Sequence, residues 1–241
     1  MDAPSLPLLD SSEYHRVLVV VAHPDDAEYG TSCAVAAWTA AGVEVVYLLL
    51  TRGEAGIRTV EPAETAVLRE REQIEGSASV GVTDVRFLDF PDGALEPTLE
   101  VRREIARVIR DVRPDVVVTG SWETEAPWGL NHADHRVCGT SVVDAVRDAD
   151  NPWMFPELRE AGLEAWAART LLVGGHSRPT HGVDVTGEPL ERGIASLAAH
   201  RVYLEALPEH PAARPFVTEM TAAQGEPLGV DNGVLFRVHQ M

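Results

Sequence analysis

The chain of 241 residues contains no lysine; all 20 of its basic side chains are arginine. That excludes Schiff-base chemistry and the lysine-dependent phosphate-binding loop. Cysteine is scarce too, with only Cys33 and Cys138, too few for a disulfide framework. Cys33 falls in an apolar helical run, so a core position is expected. No stretch approaches the ~18 consecutive apolar residues of a membrane span. Met1 to His15 has neither the basic start nor the apolar centre of a secretory signal, and a cytoplasmic protein is expected. Net positive charge is also lacking. Thirty-eight acidic side chains give a formal charge of −18, which argues against nucleic acid or an anionic membrane surface as partner.

What is present begins with R-V-L-V-V-V-A-H-P-D-D-A-E-Y-G, Arg16 to Gly30. Val17 to Val21 are all apolar and mostly β-branched, the pattern of a strand buried on both faces. The strand ends in His23-Pro24-Asp25-Asp26, and Pro24 stiffens that turn by fixing its own φ and keeping His23 extended. Helical spacing then resumes, so the two acidic groups fall near a helix N-terminus, where the backbone dipole favours negative charge. Imidazole and carboxylate together at the carboxyl end of a buried strand suit a divalent metal. The plainer reading is helix capping, for which a single Asp would suffice.

Alternation of strand and helix continues along the chain. Helices are expected over Ala27 to Ala41, Pro62 to Val80, Leu99 to Val112, His132 to Val146 and Leu190 to Leu207. Strands are expected at Val43 to Leu50, Val85 to Phe90, Asp115 to Thr119, Leu171 to Gly174 and Val183 to Val185, with a last one at Val234 to Val238. The segment Asn151 to Glu164 reads as irregular. This pattern predicts a Rossmann-like, three-layer α/β fold with a mostly parallel sheet. With no repeat, low-complexity run or linker, a single domain over 1–241 is expected, its core at about 16–207 and a tail at 208–241. Ligands of such sheets bind at the carboxyl ends of the strands. His23, Asp25 and Asp26, then Arg52 and Glu54, then Asp92 all fall there. The Gly-rich turn that a dinucleotide needs after the first strand is missing.

A second cluster follows the fourth strand, Asn131-His132-Ala133-Asp134-His135. H-x-x-H alone is weak evidence for metal. Joined to H-P-D-D from a neighbouring strand end, it supplies the two histidines and one carboxylate of a catalytic zinc site with a position open to water.

A-H-P-D-D-A-E at Ala22 to Glu28 with H-A-D-H at His132 to His135 resembles the LmbE/PIG-L family of zinc-dependent N-acetylglucosaminyl deacetylases. T-R-G-E-A-G (Thr51 to Gly56), R-E-R-E (Arg69 to Glu72), F-P-D-G (Phe90 to Gly93), R-P-D-V-V-V-T (Arg113 to Thr119) and V-D-V-T (Val183 to Thr186) extend the likeness over about residues 16 to 200. The resemblance implies one zinc per chain, with His23, Asp26 and His135 as ligands. It implies Asp25 as the general base and His132, supported by Asp134, as the group that steadies the tetrahedral intermediate and protonates the leaving amine. It implies Arg69 and Asp92 as sugar contacts; Arg52, on the loop after the second strand, is a further candidate for substrate binding. The implied substrate is a small amino-sugar conjugate.

Departures from the family pattern concern the substrate end. Ala133 stands where the family has Pro, and Arg192 and His200-Arg201-Val202-Tyr203 replace a Lys and H-x-S-Q. Cys138, one turn after His135, is a rival candidate for ligand, and His176 and His181 either line the pocket or are solvated. Trp122, Trp128 and Trp153 suit a pocket or an interface between copies of the chain. Three rival functions remain: an amidase for a larger thiol-sugar conjugate, a sugar-binding protein without turnover, and a metallophosphoesterase, which a single metal and the absence of lysine disfavour. An intact Asp25 beside intact ligands speaks against the second, since binding needs no spare base.

Overall fold

In the computed structural model, which describes residues 6–241, β1 (Arg16–Val21) lies near the middle of a seven-stranded sheet. Its continuous apolar run follows from that position. Val17, Val19 and Val21 point into one hydrophobic layer, and Leu18 and Val20 point into the other. The chain then forms α1 (Asp26–Gly30), α2 (Ser32–Ala40), β2 (Glu44–Leu49), α3 (Pro62–Ser79), β3 (Asp84–Phe87), α4 (Leu99–Val112) and β4 (Val116–Gly120). A small hairpin, β5 (Glu125–Ala126) and β6 (Gly129–Leu130), precedes α5 (Ala133–Asp150), and α6 (Pro156–Glu160) leads to β7 (Thr170–Gly174) and β8 (His181–Asp184). The last elements are α7 (Glu188–Ala198), α8 (Arg201–Glu205), α9 (Ala213–Gly225) and β9 (Gly233–Gln240).

The sheet order is β3-β2-β1-β4-β7-β9-β8, parallel from β3 through β7. β9 runs antiparallel to both β7 and β8. The mostly parallel α/β architecture is the expected one. After β1 the chain builds outward through β2 and β3, then returns to place β4 on the opposite flank of β1. The carboxyl ends of β1 and β4 therefore meet at a topological switch point, where a crevice forms. Among the described residues no helix is long and apolar enough to cross a membrane.

Three local differences from the sequence pattern have physical causes. The helix expected over Ala27 to Ala41 breaks at Thr31, whose φ is −133°; the Thr31 and Ser32 hydroxyls bond back to the carbonyls of Ala27 and Glu28. The helix expected over Leu190 to Leu207 breaks at His200, and the buried Glu72 carboxylate accepts the Val202 and Tyr203 N–H groups that open α8. The stretch after Pro208 contains α9, which its prolines disguised. Pro215 sits in the first turn, where no intrahelical hydrogen bond is lost.

β9 completes one hydrophobic layer from the far end of the sequence. Phe236 is fully buried and stacks on Trp38 with ring centroids 5.9 Å apart. Replacing it by alanine leaves a large cavity, and Phe236→Ala is expected to lower stability by about 3–5 kcal/mol. Equilibrium urea unfolding checks this; a loss under about 1 kcal/mol would mean that β9 does not close the core.

Candidate active site

The turn after β1 is held by one carboxylate. Asp26 Oδ2 accepts the backbone N–H groups of Ala22 (3.0 Å) and His23 (2.8 Å), which leaves Oδ1 facing His135 Nε2 at 3.0 Å. The same Oδ2 lies 3.6 Å from His23 Nδ1. Between Pro24 and Asp26 the backbone reverses through Asp25, whose φ of 86° is rare for a residue with a side chain. Asp25 is thereby turned into the cleft beside Asp26 instead of capping α1, and its side chain makes no capping hydrogen bond.

Both histidines have their other ring nitrogen occupied. His23 Nε2 lies 3.0 Å from Asp134 Oδ2 and 3.1 Å from Asp92 Oδ1, and His135 Nδ1 lies 3.1 Å from Asn131 Oδ1. Acceptors at those positions fix the protons there and free His23 Nδ1 and His135 Nε2 for a metal. Donor atoms around a tetrahedral zinc lie roughly 3.4 Å apart, given bonds near 2.1 Å. Asp26 Oδ1 stands 3.0 Å from His135 Nε2 and its Oδ2 3.6 Å from His23 Nδ1, so each carboxylate oxygen is near that spacing from one imidazole. Ring nitrogens of His23, His132 and His135 also lie within 4.8 Å of one another.

His132 opens α5, with its Nδ1 accepting the Asp134 N–H at 3.2 Å. In the neutral ring the proton is then on Nε2. The ring stands edge-on to His23, centroids 5.3 Å apart. The Asp134 carboxylate goes elsewhere than the resemblance implies. The Gly93 and Leu95 N–H groups draw it toward the Pro91–Leu95 turn, and it supports His23 instead of the His132 ring.

Charge in the cleft is strongly coupled. Burial opposes ionisation of Asp26, but His135 and His23 hold its carboxyl well below the usual range. Burial pulls His23 down, yet Asp26, Asp134 and Asp92 raise it to about 12. Burial also works against Asp134 and Asp92, which hydrogen bonds from His23 keep below the ordinary carboxylate value. Asp25 moves the other way, pushed up by burial against the opposing pull of Arg69.

Arg69 comes from the buried face of α3. Its guanidinium lies 3.1 Å from Asp25 Oδ2, donates to Pro24 O and Gly53 O, and sits 3.8 Å from the centre of the Tyr203 ring. A Cβ on Gly53 or Gly56 would fall 2.4 or 2.6 Å from Arg69 Nη1, so that loop closes on the arginine only with glycine there. Asp25, Asp26, His23, His132, His135, Arg69 and Asp92 line one cleft of about 350 Å³, together with Tyr29 and Tyr203. Arg52 is not among them. It pairs with Glu70 and Asp89 in an adjoining groove of about 180 Å³.

Other candidates fall outside the cleft. Cys138 is buried against Thr119 and the Val20 carbonyl, and burial pushes its thiol pKa up. His176 packs on Trp122 beside Glu123, His181 contacts Thr180, and His200 is buried next to Glu28. Trp128 and Trp153 are exposed. The motifs did not single out Gln73 and Tyr29, and Asn131 and Tyr203 were named in them without a role. For Asn131 the available signal was its place one helical turn before His135.

Asn131 also donates to the carbonyls of Ser121 and Glu123, which ties the His135 ring to the loop after β4. On the reading that His135 is a metal ligand, Asn131→Ala is expected to weaken metal binding by about 10- to 100-fold, the usual effect of removing a partner that orients a ligand. Competition with a chromophoric chelator measures it, and unchanged affinity would remove Asn131 from the site.

The family model described as GlcNAc-PI de-N-acetylase, PIG-L, matches residues 18–146, a span that contains both histidine clusters and α3. Diacetylchitobiose deacetylase of Thermococcus kodakarensis is 33% identical over 193 residues, covering 78% of this chain and 70% of that protein. The 1D-myo-inositol 2-acetamido-2-deoxy-alpha-D-glucopyranoside deacetylase of Kineococcus radiotolerans is 36% identical over 188 residues; the match spans 60% of this chain but only 51% of that relative. The solved N,N'-diacetylchitobiose deacetylase from Pyrococcus horikoshii, bound to an inhibitor, superposes with a TM-score of 0.85 at 25% identity, over 95% of this chain and 85% of that one. A family match over more than half of the chain, joined to a relative one-third identical over most of both lengths, places this protein in the PIG-L family.

Proposed function

We propose that this protein is a zinc-dependent N-deacetylase that hydrolyses the acetamide of an N-acetylglucosamine-type sugar or glycoconjugate. The observation that carries the reading is Asp25. Its carboxylate stands beside the His23, Asp26 and His135 set without being needed in it, and it faces a cleft large enough for a small ligand. A protein that only bound sugar would have no use for that extra group. The reading is supported further by relatives whose names state deacetylation of N-acetylated sugars.

Zinc held by His23, Asp26 and His135 would supply a Lewis acid and lower the pKa of water toward neutrality. The remaining steps belong to the chain's own residues. Asp25 takes the proton of the attacking water, with Arg69 fixing one of its oxygens. As the acetamide carbon becomes tetrahedral, negative charge grows on its oxygen, and His132 Nε2–H is the donor on the facing side of the cleft. The proton that Asp25 received passes to the departing amine as the C–N bond breaks and acetate leaves. The Asp134 N–H on Nδ1, which leaves the His132 ring no second proton to give, keeps its Nε2–H aimed throughout. Asp134 acts on this scheme through His23, whose Nε2 it holds. Arg69 and Asp92 at the cleft wall contact the sugar hydroxyls, and Arg52 in the adjoining groove meets whatever the sugar carries. A cytoplasmic setting and a small amino-sugar substrate complete the proposal.

The test is amine release from N,N'-diacetylchitobiose and related N-acetyl sugars by zinc-loaded protein. Activity is expected to vanish with chelator and return with zinc. Asp25→Ala is expected to keep about one zinc per chain and to lose about 100- to 10,000-fold in kcat, the range for a missing general base. His132→Ala is expected to cost about 100- to 1,000-fold, as for loss of one donor to a developing oxyanion. Loaded protein that releases no amine from any N-acetyl sugar would overturn the assignment, and a fully active Asp25→Ala would remove the base.

A further inference from the structure

We infer that Gln73 and Glu28 are positioning residues for the proposed deacetylation, with Glu28 setting the direction of the Gln73 amide and Gln73 holding Asp25 in its left-handed backbone conformation. The inference rests on Asp25 as the base and extends that reading to two residues that do not touch substrate.

Asp25 lies between β1 and α1, where its N–H has no partner in strand or helix. That N–H donates to Gln73 Oε1 at 2.8 Å. Gln73 is buried, and its Nε2 donates to Glu28 Oε1 at 3.0 Å and to Ser77 Oγ at 3.1 Å. A side-chain amide can face either way, but a carboxylate only accepts hydrogen bonds. With Glu28 on one side, the nitrogen must turn toward it, and the oxygen is then left for Asp25. A flipped Gln73 would set its oxygen against the Glu28 carboxylate and its nitrogen against the Asp25 N–H, losing both bonds at once.

Glu28 is enclosed as well. The Ser196 hydroxyl, shared with Gly76 O, lies 3.0 Å from its Oε1, and the fully buried His200 ring lies 3.7 Å from its Oε2. The close approach of α3 to α7 that assembles these groups depends on Gly76. A Cβ there would lie 2.9 Å from Ser196 O and 3.2 Å from His200 Nε2. Arg69 and Gln73 are one helical turn apart on the same face of α3, so one helix grips Asp25 twice, by carboxylate and by backbone.

Three variants test this. Gln73→Met keeps the bulk and removes all three hydrogen bonds. It is expected to lower kcat by about 100-fold through misplacement of the base, with KM changed by less than about twofold and zinc content unchanged. Glu28→Gln alone leaves the Gln73 amide undirected and is expected to lower kcat as well. The double variant Glu28→Gln with Gln73→Glu again provides one donor between the two side chains and an acceptor for the Asp25 N–H. It is expected to recover most of the activity, which a role in packing alone would not produce.

Hydrogen exchange of the peptide spanning Val21 to Tyr29 gives a readout independent of turnover. The Asp25 amide is expected to exchange faster in Gln73→Met and to regain protection in the double variant. Wild-type kcat and protection in Gln73→Met, or a double variant no better than the single ones, would overturn the inference. Wild-type protein that releases no amine would defeat the deacetylase reading instead, and amide exchange would still decide whether Gln73 holds Asp25.

Discussion

How the chain leaves β1 governs everything at the head of the cleft. Asp26 Oδ2 satisfies two backbone N–H groups that the strand can no longer pair, and this forces the tight reversal through Asp25. The same carboxylate then has one oxygen left for His135, which arrives from the far side of β4. Turn formation and donor placement are therefore one event. A side chain that only capped the turn, such as Ser, would preserve the backbone and lose the link to α5. A carboxylate that only bound an ion would leave the Ala22 and His23 N–H groups buried and unpaired, which costs on the order of 1–3 kcal/mol each.

The second organising element is the polar buried face of α3. Thr65, Arg69, Glu72, Gln73 and Ser77 are all buried, although their residue types are those of a solvated helix surface. Each has a specific occupation: Arg69 and Gln73 hold Asp25, and Glu72 caps α8 so that Tyr203 covers Arg69. Buried polar groups persist where hydrogen bonds meet most of their needs, and here the partners come from the turn after β1, from α1, from α8 and from the Gly53 loop. The helix is in effect the back wall of the site.

That wall explains where sequence reading stopped. Patterns confined to a few consecutive residues were legible: the valine-rich β1, the helix Leu99–Val112 with its apolar stripe, and the two histidine clusters at strand ends. Alternation of strand and helix carried the mostly parallel sheet, but not the order of its strands. Gln73 escaped because its partners, Asp25 and Glu28, lie 48 and 45 residues away, and no periodicity in α3 separates a buried polar face from a solvated one. Asp134 was found as a member of its cluster, but its direction was not. Two backbone N–H groups from the turn at Gly93 and Leu95 decide that, and they are about 40 residues upstream. Arg52 shares the strand-end address of the other candidates, yet Glu70 and Asp89 draw it into the neighbouring groove. The position of a residue along the chain located it at the correct edge of the sheet, and only its partners determined which way it faced.

The charge balance of the cleft also argues for a cation at its centre. Asp25, Asp26, Asp92 and Asp134 converge on a small volume, and the permanently charged group among them is Arg69, which is committed to Asp25 and two carbonyls. Buried charges without partners cost several kcal/mol each even after relaxation. Without another cation, protons must do the neutralising, and the rise of His23 to about 12 is the expression of that demand. A divalent ion answers the same demand with two charges, at the point where His23 Nδ1, Asp26 and His135 Nε2 converge. The acidic side chains that gather at the switch point of the sheet thus form, with the histidines, a cluster able to hold a metal ion.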